Sequence, residues 1–154
     1  MNDIERRLAD AGITLPDAPA PAANYVPAQM GAGLLFIAGQ VPMRDGKIAY
    51  TGKLGGGVGV EDGQAAARLC AVNILAQAKK ALGGDLSRIK QALKVQGFVN
   101  CTPDFGEHPK VINGASDLLV EILGEAGKHA RFALGAPSLP FDAATEVDAT
   151  FEVA

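Results

Sequence analysis

The sequence predicts an α+β domain with two layers, in which a mixed β-sheet carries two long helices on one face. Residues 61–82 and 108–126 have the length and the apolar spacing of amphipathic helices. The remaining runs have strand length, and the last one, residues 145–153, alternates apolar and polar side chains without interruption. The expected order is therefore two or three strands, a helix, a strand, a helix and two closing strands.

Composition limits the class of protein. A chain of 154 residues with 48% hydrophobic and 20% charged residues can bury a core, and we expect one domain over residues 1–154. The net charge of −3 gives no electrostatic attraction to nucleic acid, and the absence of Trp argues against a base-stacking platform. No apolar run approaches the length of a membrane span. We expect neither nucleic acid nor membrane as a partner.

The cysteines and the N-terminus bear on location and chemistry. Cys70 and Cys101 lack metal or redox spacing, and no cluster of metal ligands occurs, so no metal site is expected. The charged start of the chain lacks the apolar core of a secretory signal. A reduced, cytoplasmic setting is the simplest expectation. With His108 and His129 as the only histidines and no G-x-S-x-G or H-E-x-x-H motif, the sequence argues against a histidine-based hydrolase.

The chain begins with a predicted short helix over residues 2–11, which Asn2 or Asp3 can cap and Gly12 ends. A proline-rich connector follows over residues 15–24. Two strands are then predicted, Tyr25–Gln29 and Leu34–Gly39, with a turn between them and a short third strand at residues 47–50. The continuous apolar run of the second strand predicts burial on both faces. Tyr25 is either a tyrosine at the edge of the core or part of a ligand pocket.

The segment Gly52–Gly59 is rich in glycine but does not match a phosphate-binding loop. In a P-loop the Lys follows the glycines and is itself followed by Ser or Thr, whereas Lys53 precedes these glycines. The dinucleotide-binding pattern also needs a strand before it in a βαβ unit. We predict a flexible loop that can close over a site, and no cofactor.

The two long helices have caps and stripes that set their orientation. Acidic residues lie at the start of the first helix and lysines at its end, which is the charge arrangement that the helix dipole favours. Cys70 and Asn73 are expected to be packing and surface residues, and a strand at residues 92–101 separates the helices. Pro109 suits the first turn of the second helix. The predicted apolar stripes are Ala65, Leu69, Val72, Leu75, Ala76 and Leu82 in the first helix, and Val111, Ala115, Leu118 and Ile122 in the second.

The two closing strands, residues 130–136 and 145–153, are predicted to pair as an antiparallel hairpin. Their apolar faces would pack under the helices, while the opposite face would carry Arg131 among carboxylates. A guanidinium is always charged and matches a carboxylate with its planar fork. Arg131 either forms an ion pair with Glu146 or Asp148, or uses the room beside Ala133 and Gly135 to bind an acidic ligand.

The order of these residues resembles the closing signature of the RidA (YjgF, endoribonuclease L-PSP-like) family. Its P-A-R-S ending, the following L-P and the final V-E-I-E are similar to Ala130-Arg131, Leu139-Pro140 and Glu146-Val147-Asp148. Residues 36–42 resemble the strand of the family that ends in S-G-Q-I-P, Asn24-Tyr25 its G-P-Y, and Asn113 the Asn of its V-N-x-x-Y segment. The resemblance covers the core, residues 22–154. Residues 1–21 resemble the N-terminal extension of the longer branch of the family.

This resemblance implies a chorismate-mutase-like fold, assembled as a homotrimer with ligand clefts between subunits. It implies hydrolytic deamination of reactive enamines or imines, such as 2-aminoacrylate, to 2-oxo acids and ammonia without a cofactor. Such substrates are already activated, so orientation and a placed water suffice. The resemblance assigns Arg131 to the substrate carboxylate and Glu146 to the water. The expected substrate-binding residues are Tyr25, Gly39, Asn113 and Ala133, the last at a position where the family often has a Cys.

Departures from the family pattern leave other functions open. Phe132 replaces the Ser that usually follows the Arg, and Ala38 replaces the Ser of S-G-Q. A smaller, more apolar cleft is compatible with a different substrate. One alternative is a non-catalytic trimer that binds a small carboxylate metabolite, such as a 2-oxo acid, in a regulatory role. Another is the RNA cleavage attached to some relatives, which the acidic charge disfavours.

Overall fold

A single mixed β-sheet with helices on one face forms the body of the protein. The computed structural model describes residues 1–18 and 23–154, so part of the predicted proline-rich connector lies outside the described residues. The helices are α1 (Asp3–Asp10), α2 (Val60–Ala81) and α3 (His108–Leu123), and the strands are β1 (Ala28–Gly31), β2 (Leu34–Gln40), β3 (Met43–Arg44), β4 (Lys47–Ile48), β5 (Ile89–Asn100), β6 (Ala130–Ala136) and β7 (Thr145–Val153).

The strand order of the sheet is β1-β2-β7-β5-β6, and a small β3-β4 hairpin stands apart from it. All neighbours are antiparallel except β5 and β6, which are parallel. The α+β, mixed-sheet prediction is confirmed. The predicted hairpin of the two closing strands is wrong, because β5 lies between β6 and β7. The reason is that β5, α3 and β6 form a strand–helix–strand crossover, which places β6 parallel to β5 at the edge of the sheet.

The hydrophobic core lies between the sheet and helices α2 and α3. Every residue of the stripe predicted for α3 is fully buried. At Gly97 of β5 an added Cβ would lie 2.7 Å from the side chain of Ile112, so β5 faces α3 at this position. Helix α2 is buried more widely than predicted, because the sheet, α3 and β3 all contact it. Asn73 is accordingly buried, not a surface residue, and donates to the carbonyl oxygens of Val41 and Met43.

The sheet face opposite the helices carries exposed apolar side chains. On β2, Leu35 and Ile37 are buried, but Phe36 between them is 48% exposed, so the prediction of burial on both faces is wrong for the single chain. On β6, Leu134 is 49% exposed. Phe132 meets Phe98 edge to face, with 5.4 Å between ring centroids. The alternate residues of β6 that were expected to lie under the helices therefore point away from them.

The N-terminal elements agree with the sequence except at β1. Asn2 caps α1 in a capping box with Glu5. The first strand begins at Ala28, not at Tyr25, which lies in a bend before it. The turn between β1 and β2 is formed by Ala32 and Gly33, both with positive φ, as tight hairpins require.

The glycine-rich segment is packed against the body of the protein, contrary to the predicted flexible loop. Leu54 is fully buried, its N–H donates to the carbonyl of Asn100, and its carbonyl accepts from the N–H of Thr102. A Cβ at Gly55 would lie 2.4 Å from Thr102 Oγ1, so the loop and the chain after β5 approach closely. None of the helices in the described part of the chain is long and apolar enough to cross a membrane.

Candidate functional site

Arg131 lies on the edge strand β6 and points toward α3. Its Nη1 donates to Ser116 Oγ at 3.0 Å and its Nη2 to the carbonyl oxygen of Pro109 at 3.1 Å. Both partners are neutral, and among the described residues no carboxylate lies within ion-pair distance of this half-buried guanidinium. The ion pair with Glu146 or Asp148 considered from the sequence does not form. Arg131 is therefore positioned and charged, with Nε–H and further Nη–H groups left for a ligand.

A short chain of hydrogen bonds holds Ser116, one of the two partners of Arg131. Ser116 Oγ also lies 2.8 Å from His129 Nε2, and His129 Nδ1 lies 2.6 Å from the carbonyl oxygen of Gly127. The carbonyl of Gly127 accepts from Nδ1–H of His129, and Ser116 Oγ accepts from Arg131 while it also contacts Nε2 of the same histidine. Sequence reasoning missed Ser116. Its position three residues after Asn113 on α3 was the available signal.

Asn113 on α3 and Ala133 on β6 lie close in sequence to the residues that hold Arg131. Asn113 is exposed and sits one helical turn from both Pro109 and Ser116, the two partners of Arg131. Ala133 follows Arg131 on the helix-facing side of β6, opposite Gly97. We call this region, formed by Arg131, Asn113, Ser116 and Ala133, the arginine edge. The small Ala133 side chain is partly buried against the hydrophobic core.

Glu146 and Gly39 lie together on the helix-free face of the sheet, and Tyr25 lies in the bend that precedes β1. Glu146 lies on β7, and an added Cβ at Gly39 would lie 2.9 Å from its Oε1. The β2–β7 register shifts between Ile37 and Gln40, so Gly39 sits at an irregularity that admits the carboxylate. Tyr25 is 52% exposed. Two residues after it, the carbonyl of Pro27 accepts from the N–H of Ala38, which precedes Gly39 in β2. We call Glu146, Asp148 and Gly39 the glutamate face.

Two neighbouring carboxyl groups on this face favour protonation. Partial burial, followed by the negative charge of Asp148, raises the pKa of Glu146. Burial also raises the pKa of Asp148, while a backbone N–H bond from Gln96 opposes the rise. No arginine or lysine pairs with either carboxylate among the described residues. A carboxyl group of raised pKa that touches a glycine backbone is suited to exchange a proton with a bound water or substrate.

The sheet separates these two groups of residues. Arg131 is opposite Val95, a core residue beneath the helices, whereas Glu146 is opposite Phe98 on the helix-free side. The prediction that one face carries the arginine among carboxylates is wrong. Because the register sets Arg131 opposite Val95 and Glu146 opposite Phe98, the two side chains lie on opposite faces of the sheet. One chain cannot close both groups on one small ligand.

The described residues contain no group of three or more His, Cys, Asp or Glu side chains arranged to hold a metal ion. The site therefore offers a guanidinium on one face of the sheet and a pair of carboxyl groups with raised pKa on the other. A two-layer α+β domain with this sheet order and these helices is a chorismate-mutase-like fold.

The chain belongs to the family described as "YjgF/chorismate mutase-like, putative endoribonuclease", whose model matches residues 5–152. Protein TCP17 of Trypanosoma cruzi is 46% identical over 151 residues, which cover 97% of this chain and 94% of TCP17. The crystal structure of Atu1372 from Agrobacterium tumefaciens, a protein of unknown function, is 54% identical with a TM-score of 0.93, covering 98% of this chain and 92% of Atu1372.

The crystal structure of a Shewanella oneidensis protein described as a "putative endoribonuclease" is 42% identical with a TM-score of 0.95, and the match covers 99% of this chain and 100% of the Shewanella chain. More distant structures share the fold alone. One is Escherichia coli TdcF with bound serine, 21% identical with a TM-score of 0.61, covering 90% of this chain and 94% of TdcF. The family and its fold are established by these matches.

Proposed function

We propose that the protein hydrolyses small enamines and imines that carry a carboxylate, of the 2-aminoacrylate type, to 2-oxo acids and ammonia. The observation that carries this proposal is the guanidinium of Arg131, held by neutral partners at the edge of the sheet without an acidic partner among the described residues. An unpaired guanidinium grips a carboxylate with two parallel hydrogen bonds. Distant support comes from TdcF, a fold relative with serine bound.

The reaction needs few groups from the protein. The enamine takes a proton at its terminal carbon and becomes an imine. Water then bonds to the imine carbon, the C–N bond breaks, and ammonia leaves as the carbonyl forms. Glu146 takes a proton from the water and returns one to the nitrogen, a role that suits a carboxyl of raised pKa. Arg131 fixes the carboxylate, Gly39 offers backbone groups at the imine end, and Tyr25, Asn113 and Ala133 line the cleft.

The two regions must come from different chains for this mechanism to operate. We propose a homotrimer in which the arginine edge of one chain meets the glutamate face of the next. The exposed apolar side chains of Phe36 and Leu134 on the helix-free face support self-association, because exposed apolar area favours burial against a partner. Each cleft would then bring one cation and one proton-exchanging carboxyl to the same ligand.

The direct test is a coupled assay that measures 2-oxo acid released from imines generated in situ from several amino acids. Arg131→Ala should lower kcat/KM by about a hundredfold or more, because the substrate carboxylate loses the guanidinium that binds it. Arg131→Lys should recover part of the activity, since it keeps charge but not the planar fork. Size-exclusion chromatography and circular dichroism control for assembly and folding. Full activity in a folded Arg131→Ala variant would refute the assignment.

A non-catalytic role stays as the second candidate, because the arginine edge can bind a small carboxylate without Glu146. In that case the purified protein would bind 2-oxobutyrate in a calorimeter and fail to hasten imine decay. Arg131→Ala would abolish this binding, and Glu146→Gln would leave it unchanged.

A further inference from the structure

The end of the β5–β6 pair holds a thiol and an imidazole in contact. Cys101 directly follows β5, and His108 begins α3. Cys101 Sγ lies 3.5 Å from His108 Nε2, within hydrogen-bonding distance for sulfur. Both line a cavity of about 430 Å³ that also contacts Lys53, Phe105 and Gly135. This cavity lies beyond the arginine edge along β6 and contains none of the residues assigned above to imine hydrolysis.

Gly135 keeps the thiol–imidazole pair open to the cavity. A Cβ at this position would lie 2.7 Å from both Cys101 Sγ and His108 Nε2. Any side chain there would therefore cover the pair or push it apart. On the opposite side, the Phe105 ring meets the His108 ring edge to face at 5.4 Å and fixes its plane. The cavity is shaped so that a small molecule can reach sulfur and imidazole together.

The glycine-rich loop brings a positive charge to the same cavity. The buried Leu54 anchors the loop, and Lys53 Nζ donates to Asn100 Oδ1 at 2.9 Å and to the carbonyl of Pro137. No carboxylate pairs with Lys53 among the described residues. The acidic side chains near this loop are bonded elsewhere: Asp142 Oδ1 accepts from the side-chain amide of Asn100, and Asp104 accepts from the Thr102 hydroxyl. The wall of the cavity thus favours an anionic ligand.

The second cysteine, Cys70, is an unreactive thiol in the same chain and can be compared with Cys101. Cys70 is fully buried in α2 and contacts Thr145 Oγ1 at 3.4 Å. Burial raises the pKa of its thiol to about 12, so it stays protonated. Cys101 instead has a base at its sulfur and a cavity in front of it. The difference provides an internal reference for any thiol-reactivity measurement.

We propose that Cys101 and His108 form a nucleophilic thiol site that binds small anionic carbonyl compounds as reversible hemithioacetals. The thiol sulfur bonds to the carbonyl carbon and the C=O π bond opens. The thiol proton passes through His108 to the carbonyl oxygen, which becomes a hydroxyl, and Lys53 attracts the carboxylate of the ligand. Atoms and charge balance without an oxidant or a cofactor. This site does not depend on imine hydrolysis by the arginine edge.

The first experiment measures alkylation of the native full-length chain by iodoacetate, with peptide mass spectrometry to locate the label. Cys101 should react at least about tenfold faster than N-acetylcysteine at the same pH, and Cys70 should stay unlabelled until the protein is denatured. His108→Gln should bring the rate of Cys101 down to that of N-acetylcysteine. If Cys101 reacts no faster than N-acetylcysteine, the proposal is overturned.

The second experiment tests charge and ligand. Lys53→Met should slow alkylation by iodoacetate more than by neutral iodoacetamide, while the matched surface control Lys47→Met should change neither rate. Glyoxylate should protect Cys101 from iodoacetamide at lower concentration than acetaldehyde does. Equal protection by the two aldehydes, or none, would overturn the anionic carbonyl ligand even if the thiol is reactive.

Two further variants separate this site from the proposed enzyme activity. Gly135→Ala should block labelling of Cys101, and circular dichroism checks that this variant folds. If it does not fold, Lys53→Met and His108→Gln test the site instead. Cys101→Ser should abolish labelling while imine hydrolysis keeps its wild-type rate. Loss of hydrolysis in Cys101→Ser would show that the thiol belongs to the other reaction and would overturn an independent site.

Discussion

The arginine edge and the glutamate face differ in how each holds its charge. Arg131 is fixed by a serine hydroxyl and a helix carbonyl, both neutral, and keeps its full cationic character. Glu146 and Asp148 lie side by side, partly buried, with raised pKa values. On one face of a sheet, a guanidinium and two neighbouring carboxyl groups would lie close enough to attract each other. The sheet prevents this by placing them on opposite faces, so neither region has an ion-pair partner among the described residues, and a ligand or another chain can supply one.

The largest effect should come from mixing two inactive variants. If the arginine edge and the glutamate face act on one substrate from different chains, Arg131→Ala and Glu146→Gln are each inactive. Unfolding and refolding them together at equal amounts should restore roughly a quarter of the wild-type activity, the fraction of clefts with both groups intact in a cyclic oligomer. Imine hydrolysis is the measurement.

The control for this mixture is each variant refolded alone. Recovery of no activity from the mixture, with mixed oligomers confirmed by native mass spectrometry, would show that the two regions do not share a cleft. The arginine edge and the glutamate face would then not act on the same substrate.

A smaller but still large effect is expected for Gly39→Ala. The added Cβ would lie 2.9 Å from Glu146 Oε1 and must displace the carboxylate. Because displacement by about 1 Å can cost up to a hundredfold in rate, we expect kcat to fall by about ten- to a hundredfold. Steady-state kinetics measure this. Gly31→Ala on the neighbouring strand β1 is the matched control, since its Cβ would meet nothing within 4 Å; an equal loss there would point to general damage to the sheet.

Ser116→Ala tests the support of the arginine edge. The variant removes one hydrogen-bond acceptor from Arg131 and leaves the charge in place. A lost hydrogen bond to a charged group is worth about 1.5–3 kcal/mol, so kcat/KM should fall by about ten- to a hundredfold, mainly through KM. Ser116→Thr keeps the hydroxyl and should retain most of the activity. A fall confined to kcat, or an inactive threonine variant, would contradict a positioning role.

The smallest effect concerns stability and pH on the glutamate face. A carboxyl whose pKa is raised on folding binds more protons in the native state, so its contribution to stability declines as pH rises from the ordinary carboxyl pKa through the raised one. Glu146→Gln should therefore raise Tm slightly at neutral pH, and this gain should vanish at pH values below the ordinary carboxyl pKa. Calorimetry across pH measures both. A lower Tm at neutral pH would mean that a cation of another chain already stabilises Glu146.

Sequence reasoning reached the candidate residues but placed them on the wrong surfaces. Alternation along β7 correctly grouped Glu146 with Asp148, and the stripe of α3 was correct throughout. The same alternation grouped Arg131 with Ala133 and Gly135, which is also correct. The error lay in pairing β6 with β7, because strands adjacent in the chain commonly pair. The sequence contained no signal that β5 lies between them.

The sequence by itself determined which segments are helices and strands, which residues share one side of each element, and that Arg131 is a cation suited to a carboxylate. These features follow from local spacing, since side chains repeat every two residues in a strand and every 3.6 in a helix. Only the tertiary structure decided that Arg131 and Glu146 lie on opposite faces, that Ser116 supports the arginine, and that Cys101 meets His108. Those relations depend on which distant segments pack together, and a strand has the same alternation whichever of its sides faces the core.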